Sequence, residues 1–77
     1  MTELLTAIAK GLVDDPDSVK VDRDEPDAEG VVVYHLHVAE PDMGKVIGKQ
    51  GKIARAIRIV MRAGAGRIKE KIMVEID

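Results

Sequence analysis

The stretch Val46-Ile47-Gly48-Lys49-Gln50-Gly51-Lys52-Ile53 places two glycines three residues apart, between a short apolar segment and a longer one with helical periodicity. Glycine has no Cβ, so Gly48 is expected to close one helix in a left-handed conformation and Gly51 to open the next. The tip would then consist of Lys49 and Gln50. Because the first amides of a helix lack intrahelical partners and lie at the positive end of its dipole, this corner could hold a phosphate. The alternative is an ordinary corner in which the glycines only permit the turn.

The charge distribution favours anion binding over an ordinary corner. Residues 43 to 69 carry no Asp or Glu and eight basic residues: Lys45, Lys49, Lys52, Arg55, Arg58, Arg62, Arg67 and Lys69. Residues 1 to 42 carry a net charge of −8 and residues 70 to 77 one of −2, so the total of −2 conceals one cationic segment centred on the glycines. We expect Lys45, Lys49 and Lys52 to surround the corner. Such a segment is typical of proteins that bind a phosphate backbone.

Length and composition predict one domain over residues 1–77 with a single core. The chain is 45% hydrophobic and 34% charged, as in globular proteins, and it has no cysteine for a disulfide or a thiolate metal site. The N-terminus has no basic region typical of a signal peptide, and the longest apolar run, Val31 to Tyr34, is far too short to span a membrane. We therefore expect a cytoplasmic protein with no membrane contact.

The first half of the chain predicts a helix and two strands. Apolar residues recur at helical spacing from Leu4 to Leu12, with Thr2 as the expected N-cap. Alternation around Val19 and Val21 predicts a strand, and an acidic turn with Pro26 and Gly30 leads to a second strand over Val31 to Ala39. Its inward face should hold Val32, Tyr34, Leu36 and Val38. His35 and His37 would lie on the open face, where exposed strand histidines are a better account than metal ligands or a pH sensor.

The second half predicts two helices and a final strand. Asp42 is the expected cap of a short helix over Met43 to Ile47, and a long helix should run from Lys52 to about Ala63, ended by Gly64-Ala65-Gly66. Its core stripe would be Ile53, Ile57, Val60 and Met61, with Arg55, Arg58 and Arg62 on another side. Ile59 belongs to neither side, so it could line a groove, form a dimer contact or simply be exposed. The last strand should cover Ile68 to Ile76.

The Ile-Gly-x-x-Gly loop at residues 47 to 51 resembles the signature of KH domains, whose loop clamps single-stranded nucleic acid. The whole chain is similar to small single-domain bacterial KH proteins of the KhpA type. The resemblance implies an α+β fold of KH type II, α-β-β-α-α-β, with a three-stranded mixed sheet covered on one face by three helices. It also implies an RNA-binding groove lined by Val46, Ile47, Gly48, Lys49, Gln50, Gly51, Lys52, Ile53, Arg55 and Arg67, with Gly66 beside Arg67 in a variable loop and Met73 beyond it.

Binding is the expected function, and catalysis has little support. Gly51-Lys52 lacks the glycine spacing and the following Ser or Thr of a nucleotide-hydrolase loop, and Ser18 has no activating neighbour by pattern. The chain has no Phe or Trp, so it cannot hold bases mainly by aromatic stacking. We expect a single-stranded RNA binder without a cofactor; single-stranded DNA is the alternative ligand.

A second alternative is a protein-interaction adaptor. The family resemblance implies homodimers, or pairing with a larger KH protein of the KhpB (Jag/EloR) type, and a post-transcriptional or RNA-chaperone activity linked to cell elongation. Ile59 is the candidate dimer contact.

Overall fold

The computed structural model describes all 77 residues. Its regular elements are α1 (Thr2–Leu12), β1 (Lys20–Arg23), β2 (Val31–His37), α2 (Met43–Ile47), α3 (Lys52–Arg67) and β3 (Lys71–Ile76). Short 3-10 turns precede β1, α2 and α3, at Pro16–Ser18, Glu40–Asp42 and Lys49–Gly51. The order α-β-β-α-α-β is the predicted one. None of the helices combines the length and apolar character needed to cross a lipid bilayer.

The three strands form one mixed sheet in the order β1-β2-β3, as predicted. β1 and β2 are antiparallel, with Asp22 opposite His35, whereas β2 and β3 are parallel, with Val33 opposite Met73. The parallel pair requires a crossover, which α2 and α3 supply. Burial alternates along β2, because only one face of the sheet is covered by the helices.

The core lies between this sheet and the three helices. Its buried side chains are Leu5, Ala9, Val19, Val32, Tyr34, Leu36, Val46, Ile57, Met61, Ala65, Ile72 and Val74. Burying one large aliphatic side chain contributes roughly 1.5–3 kcal/mol, so a core of this size must carry most of the stability of a chain without disulfides. The prediction that Val60 belongs to the core stripe is wrong, since 47% of it is exposed. Its place is taken by Ala65, eight residues after Ile57 on the same face of α3.

Neither predicted capping side chain makes a cap hydrogen bond. α1 begins at Thr2, so that Met1 occupies the cap position, and no side chain caps the helix. Asp42 does precede α2, yet its carboxylate makes no cap hydrogen bond. The strands are shorter than predicted. β2 ends at His37, and β3 begins at Lys71 because Lys69 takes a positive φ of 56° in the preceding turn.

The prediction that Gly64-Ala65-Gly66 ends α3 is also wrong, because the helix continues to Arg67. Ala65 is 1% exposed and packs in the core. A Cβ on Gly64 would lie 3.2 Å from the Met1 Cε, so the helix here passes close to the start of α1. The packing of this last turn outweighs the roughly 1 kcal/mol per residue that glycine costs in a helix.

Candidate nucleic-acid interface

The glycine loop, Gly48 to Lys52, joins α2 to α3 through a backbone that only glycine adopts easily. Gly48 has φ 74° and ψ 173°, a region that is almost glycine-only, and Gly51 is left-handed with φ 74° and ψ 15°. A Cβ on Gly48 would lie 2.3 Å from the Ile53 Cγ1. Gln50, at the tip, is also left-handed, with φ 57°. Gly48 therefore needs both its positive φ and its missing side chain, because α3 begins directly against it.

Two backbone amides at the tip of this loop are free. The Gly48 amide donates to the Gly44 carbonyl at 2.8 Å, and the Gly51 amide donates to the Gly48 carbonyl at 3.2 Å. The Lys52 amide donates to the Lys49 carbonyl. The amides of Lys49 and Gln50 make no hydrogen bond to the rest of the protein. The available anion donors are thus these two consecutive amides, rather than those of the flanking glycines.

The cations at the loop are not neutralised by the acidic turns, with one exception. Lys49 and Lys52 are exposed and have no carboxylate within 4 Å. Lys45 instead pairs with Asp14 and Asp42, and the hydrogen bond to Asp14 is the main cause of its raised pKa. The prediction that Lys45 adds a mobile charge to the loop is therefore wrong.

Asp42 anchors the start of α2. Its carboxylate is buried and accepts the amide hydrogens of Asp14 at 3.3 Å and Asp15 at 3.0 Å. Burial alone would raise its pKa, but these amides and the Lys45 ammonium outweigh burial and hold the pKa of Asp42 below its ordinary value. The acidic residues that follow α1 are thereby fixed to the base of α2, and α2 leads directly into the glycine loop.

Three arginines continue the positive charge along the side of α3 that faces β3. Arg55, Arg58 and Arg62 follow at spacings of three and four, which places them on one side of the helix. The Arg58 Nε donates to the Val74 carbonyl at 3.3 Å. Because β3 pairs only with β2, its other edge is open beside these side chains. Arg58 and Arg62 were outside the predicted site, although their spacing from Arg55 would have identified them.

The structure does not bring all the predicted site residues together. Val46 is fully buried, so its side chain is not available to a ligand. Ile53 lies on the α1 side of α3, in contact with an apolar groove, and therefore away from Arg55. Gly66 and Arg67 are the last residues of α3 rather than part of a loop. Met73 is 53% exposed on the uncovered face of the sheet.

Ile47, Lys49, Gln50, Lys52 and Arg55 remain exposed beside the two glycines. These residues, the free tip amides, Arg58, Arg62 and the open edge of β3 form one candidate surface. A polyanion lying on it would contact backbone amides first and arginines further along α3.

Tyr34 is the only aromatic residue, and it is a core residue, as expected. Its hydroxyl donates to the Glu70 Oε1 at 2.8 Å. Burial and this hydrogen bond both raise the pKa of Tyr34. The ring is 2% exposed and cannot stack on a base.

The open face of the sheet holds a feature that the sequence did not reveal. His35 lies between Asp24, with Nε2 and Oδ2 2.8 Å apart, and Glu75, with Nδ1 and Oε2 3.3 Å apart. His37 lies between Asp22 and Asp77, at 3.7 and 3.4 Å. No sequence pattern places a carboxylate beside these histidines, but strand pairing brings in acids that are remote in sequence. No group of three such residues has an arrangement that could hold a metal ion.

The fold and the glycine loop define a KH domain of type II. The protein-family model described as "KhpA/KhpB, KH domain" matches residues 2–76, and the chain belongs to this family. It is 51% identical over 76 residues to "RNA-binding protein KhpA" of Clostridium acetobutylicum, covering 99% of each chain. The protein of the same name from Listeria monocytogenes is 45% identical, with 99% of this chain and 97% of that protein covered. Membership of this family confirms that the chain is a binding domain rather than an enzyme.

Solved structures with the same fold include larger proteins. An Aquifex aeolicus Era variant bound to GDP.AlF4- matches with a TM-score of 0.65 at 19% identity, covering 97% of this chain and 28% of that chain. Era in complex with MgGDPNP and nucleotides 1506–1542 of 16S ribosomal RNA matches with a TM-score of 0.57 at 19% identity. At this identity the likeness concerns the fold alone.

Proposed function

We propose that this protein binds single-stranded RNA across the glycine loop and the arginine side of α3. The observation that carries the proposal is the pair of free amides at Lys49 and Gln50, at the positive end of a 16-residue helix and flanked by two unpaired lysines. Consecutive amides of this kind bind phosphate oxygens, and the lysines add charge without fixing a base sequence. The names of the relatives, which describe RNA-binding proteins, agree with this proposal.

The test is a double variant at the tip, Lys49→Asp with Gln50→Asp, measured by fluorescence titration with a single-stranded oligoribonucleotide. We expect binding to be lost while circular dichroism remains that of the parent, because both side chains are exposed. The control, Ala7→Asp with Lys10→Asp, lowers the net charge by the same amount on the exposed side of α1. Equal affinity of the tip variant and the parent would rule out the loop as the binding site.

The same titration with a deoxyribo-oligomer of matching sequence separates RNA from single-stranded DNA. A protein that uses the 2′-hydroxyl binds the ribo-oligomer more tightly. Without aromatic platforms, one copy should bind weakly. Two linked copies on one strand should bind more tightly, because binding of the first raises the effective concentration of the second. The finer proposal, a post-transcriptional regulator or RNA chaperone linked to cell elongation, rests on the family resemblance. Crosslinking to cellular RNA followed by sequencing would identify the targets.

A second candidate function, that of a protein-interaction adaptor, is favoured by the exposed apolar residues of α3. Ile59 is 60% and Val60 47% exposed, next to an apolar groove of about 280 Å³ between α1 and α3. We propose that this surface forms a homodimer, or a heterodimer with a KhpB-type KH protein, with Ile59 as a contact. Ile59→Asp should then lower the mass found by light scattering, and Lys10→Asp should not. An unchanged mass for a dimeric parent would reject Ile59.

A further inference from the structure

Lys45 is the one lysine beside the glycine loop that acidic side chains hold in the free protein. Its ammonium pairs with the Asp14 carboxylate and lies 3.4 Å from the Asp42 Oδ1. Asp42 directly precedes α2, whereas the glycine loop follows α2. The two acids therefore draw the Lys45 side chain toward the start of this helix and away from the loop.

Release of Lys45 from these acids costs the fold little. The Lys45 side chain is 42% exposed and that of Asp14 is 83% exposed, and an ion pair in such a position contributes little because water screens it. Asp42 is buried, but its carboxylate also accepts the amide hydrogens of Asp14 at 3.3 Å and Asp15 at 3.0 Å. When Lys45 leaves, the buried carboxylate therefore remains hydrogen-bonded.

The glycine loop lies within reach of a released Lys45. This residue is three positions before Gly48, or about 5 Å along the axis of α2. Its flexible four-carbon stem can span that distance. A phosphate on the free amides of Lys49 and Gln50 would attract the ammonium, and no acid between positions 43 and 69 opposes this attraction.

We propose that Asp14 limits the RNA affinity of the glycine loop by holding Lys45, which becomes a third phosphate-binding lysine of the loop when it is released. In the parent, Lys49 and Lys52 supply the lysine charge at the loop, and without the Asp14 carboxylate Lys45 joins them. Because the contact is to phosphate, the gain in affinity should not depend on the base sequence. This inference rests on the proposed function and adds to it a residue that sets the affinity.

The test is Asp14→Asn, which removes the carboxylate but keeps the backbone amide that Asp42 accepts. In fluorescence titration with a single-stranded oligoribonucleotide, we expect the affinity to rise several-fold. The slope of log affinity against log salt should steepen by about 0.7, the contribution of one further phosphate contact. Asp17→Asn is the matched control, because Asp17 is an exposed acid with no lysine within 4 Å. It should change the affinity much less and leave the slope unchanged.

Lys45→Met identifies the cation that is released. In this background, Asp14→Asn should raise the affinity only as much as Asp17→Asn does, since no ammonium remains to be freed. Circular dichroism of every variant should match that of the parent, because all three side chains are exposed. The inference is overturned if Asp14→Asn gains no more than Asp17→Asn, or if its excess gain persists with Lys45→Met.

A measurement without RNA separates this inference from the proposed function. NMR titration of the lysine side chains should show that the pKa of Lys45 lies above its ordinary value, because of the hydrogen bond to Asp14, and that it falls in Asp14→Asn. A Lys45 pKa that is not raised in the parent would overturn the inference and leave the proposed function standing. A raised pKa in a parent that does not bind RNA would overturn the proposed function, and the inference with it.

Discussion

Among individual residues, Gly48 lies at the position that requires glycine most strictly. Its backbone has a positive φ that residues with a side chain rarely adopt, and Ile53 lies directly against it. Because Gly48 has no Cβ, α3 can begin immediately after the loop. Gly44, four residues earlier in α2, has neither constraint, because its φ is not positive and nothing lies within 4 Å of a Cβ there. The two glycines form a matched pair for experiment.

We predict that Gly48→Ala lowers the free energy of unfolding by about 1–3 kcal/mol from backbone strain, and by more if Ile53 cannot move. Gly44→Ala should raise it by roughly 0.5–1 kcal/mol, because alanine favours the helix. Urea unfolding followed by circular dichroism measures both changes. A neutral Gly48→Ala would mean that the loop does not hold the conformation described.

His35 is the second residue with a measurable consequence. Its hydrogen bond to Asp24 raises its pKa, with further attraction from Glu75 and Asp77; Asp22 faces the neighbouring His37. A pKa raised above the unfolded value of about 6.5 gives stability that is fully present below that pH and is lost as the pH rises through the folded pKa. The protonated ring of His35, in β2, then pairs through Nε2 with Asp24, which directly follows β1, and through Nδ1 with Glu75 in β3.

We therefore predict that the free energy of unfolding falls between about pH 6 and about pH 8, and that His35→Gln or Asp24→Asn reduces this fall. Urea midpoints at the two pH values measure it. Asp17→Asn, an exposed acid away from the sheet, is the control and should keep the parent's dependence. An undiminished fall in both test variants would contradict the assignment to His35.

At the scale of elements, the length of α3 departs most from local sequence preference. Gly64 and Gly66 mark a helix end by composition, yet the helix includes both because Ala65 is buried beneath them. The extra turn places Gly66 and Arg67 within the helix and leaves only a short turn before β3.

We predict that Gly66→Ala raises the free energy of unfolding by about 0.5–1 kcal/mol, because Gly66 is exposed, helical and without a close neighbour. The urea midpoint without RNA measures the change. If residue 66 instead ended the helix in a left-handed conformation, alanine would be destabilising, so the sign of the change alone decides between the two structures.

Across the whole molecule, positive and negative charge are separated. Of the eight basic residues between positions 43 and 69, only Lys45 has a carboxylate within 4 Å. Acidic residues instead surround the histidines on the open face of the sheet and hold the base of α2. A chain with a net charge of only −2 therefore presents a cationic surface to a polyanion.

We predict that RNA affinity falls with rising salt and that Lys49→Ala with Lys52→Ala lowers the slope of log affinity against log salt by about 1.4, or about 0.7 for each phosphate no longer neutralised. Titration at several salt concentrations measures the slope. Lys10→Ala with Lys20→Ala removes two exposed lysines outside the cationic segment and should leave the slope unchanged. Equal slopes in the two double variants would contradict a binding surface centred on the loop.

The sequence alone determined the order of the elements, the inward face of β2 and the position of the glycine loop. These depend on local properties: apolar spacing, turn residues and the conformational freedom of Gly48 and Gly51. Only the tertiary structure decided which charges are free and which are paired. Lys45 pairs with Asp14, the Arg58 Nε donates to the Val74 carbonyl, and Asp22 of β1 and the C-terminal Asp77 both lie beside His37. Such pairs join residues remote in the chain, so their partners are set by packing and strand register, which no local pattern encodes.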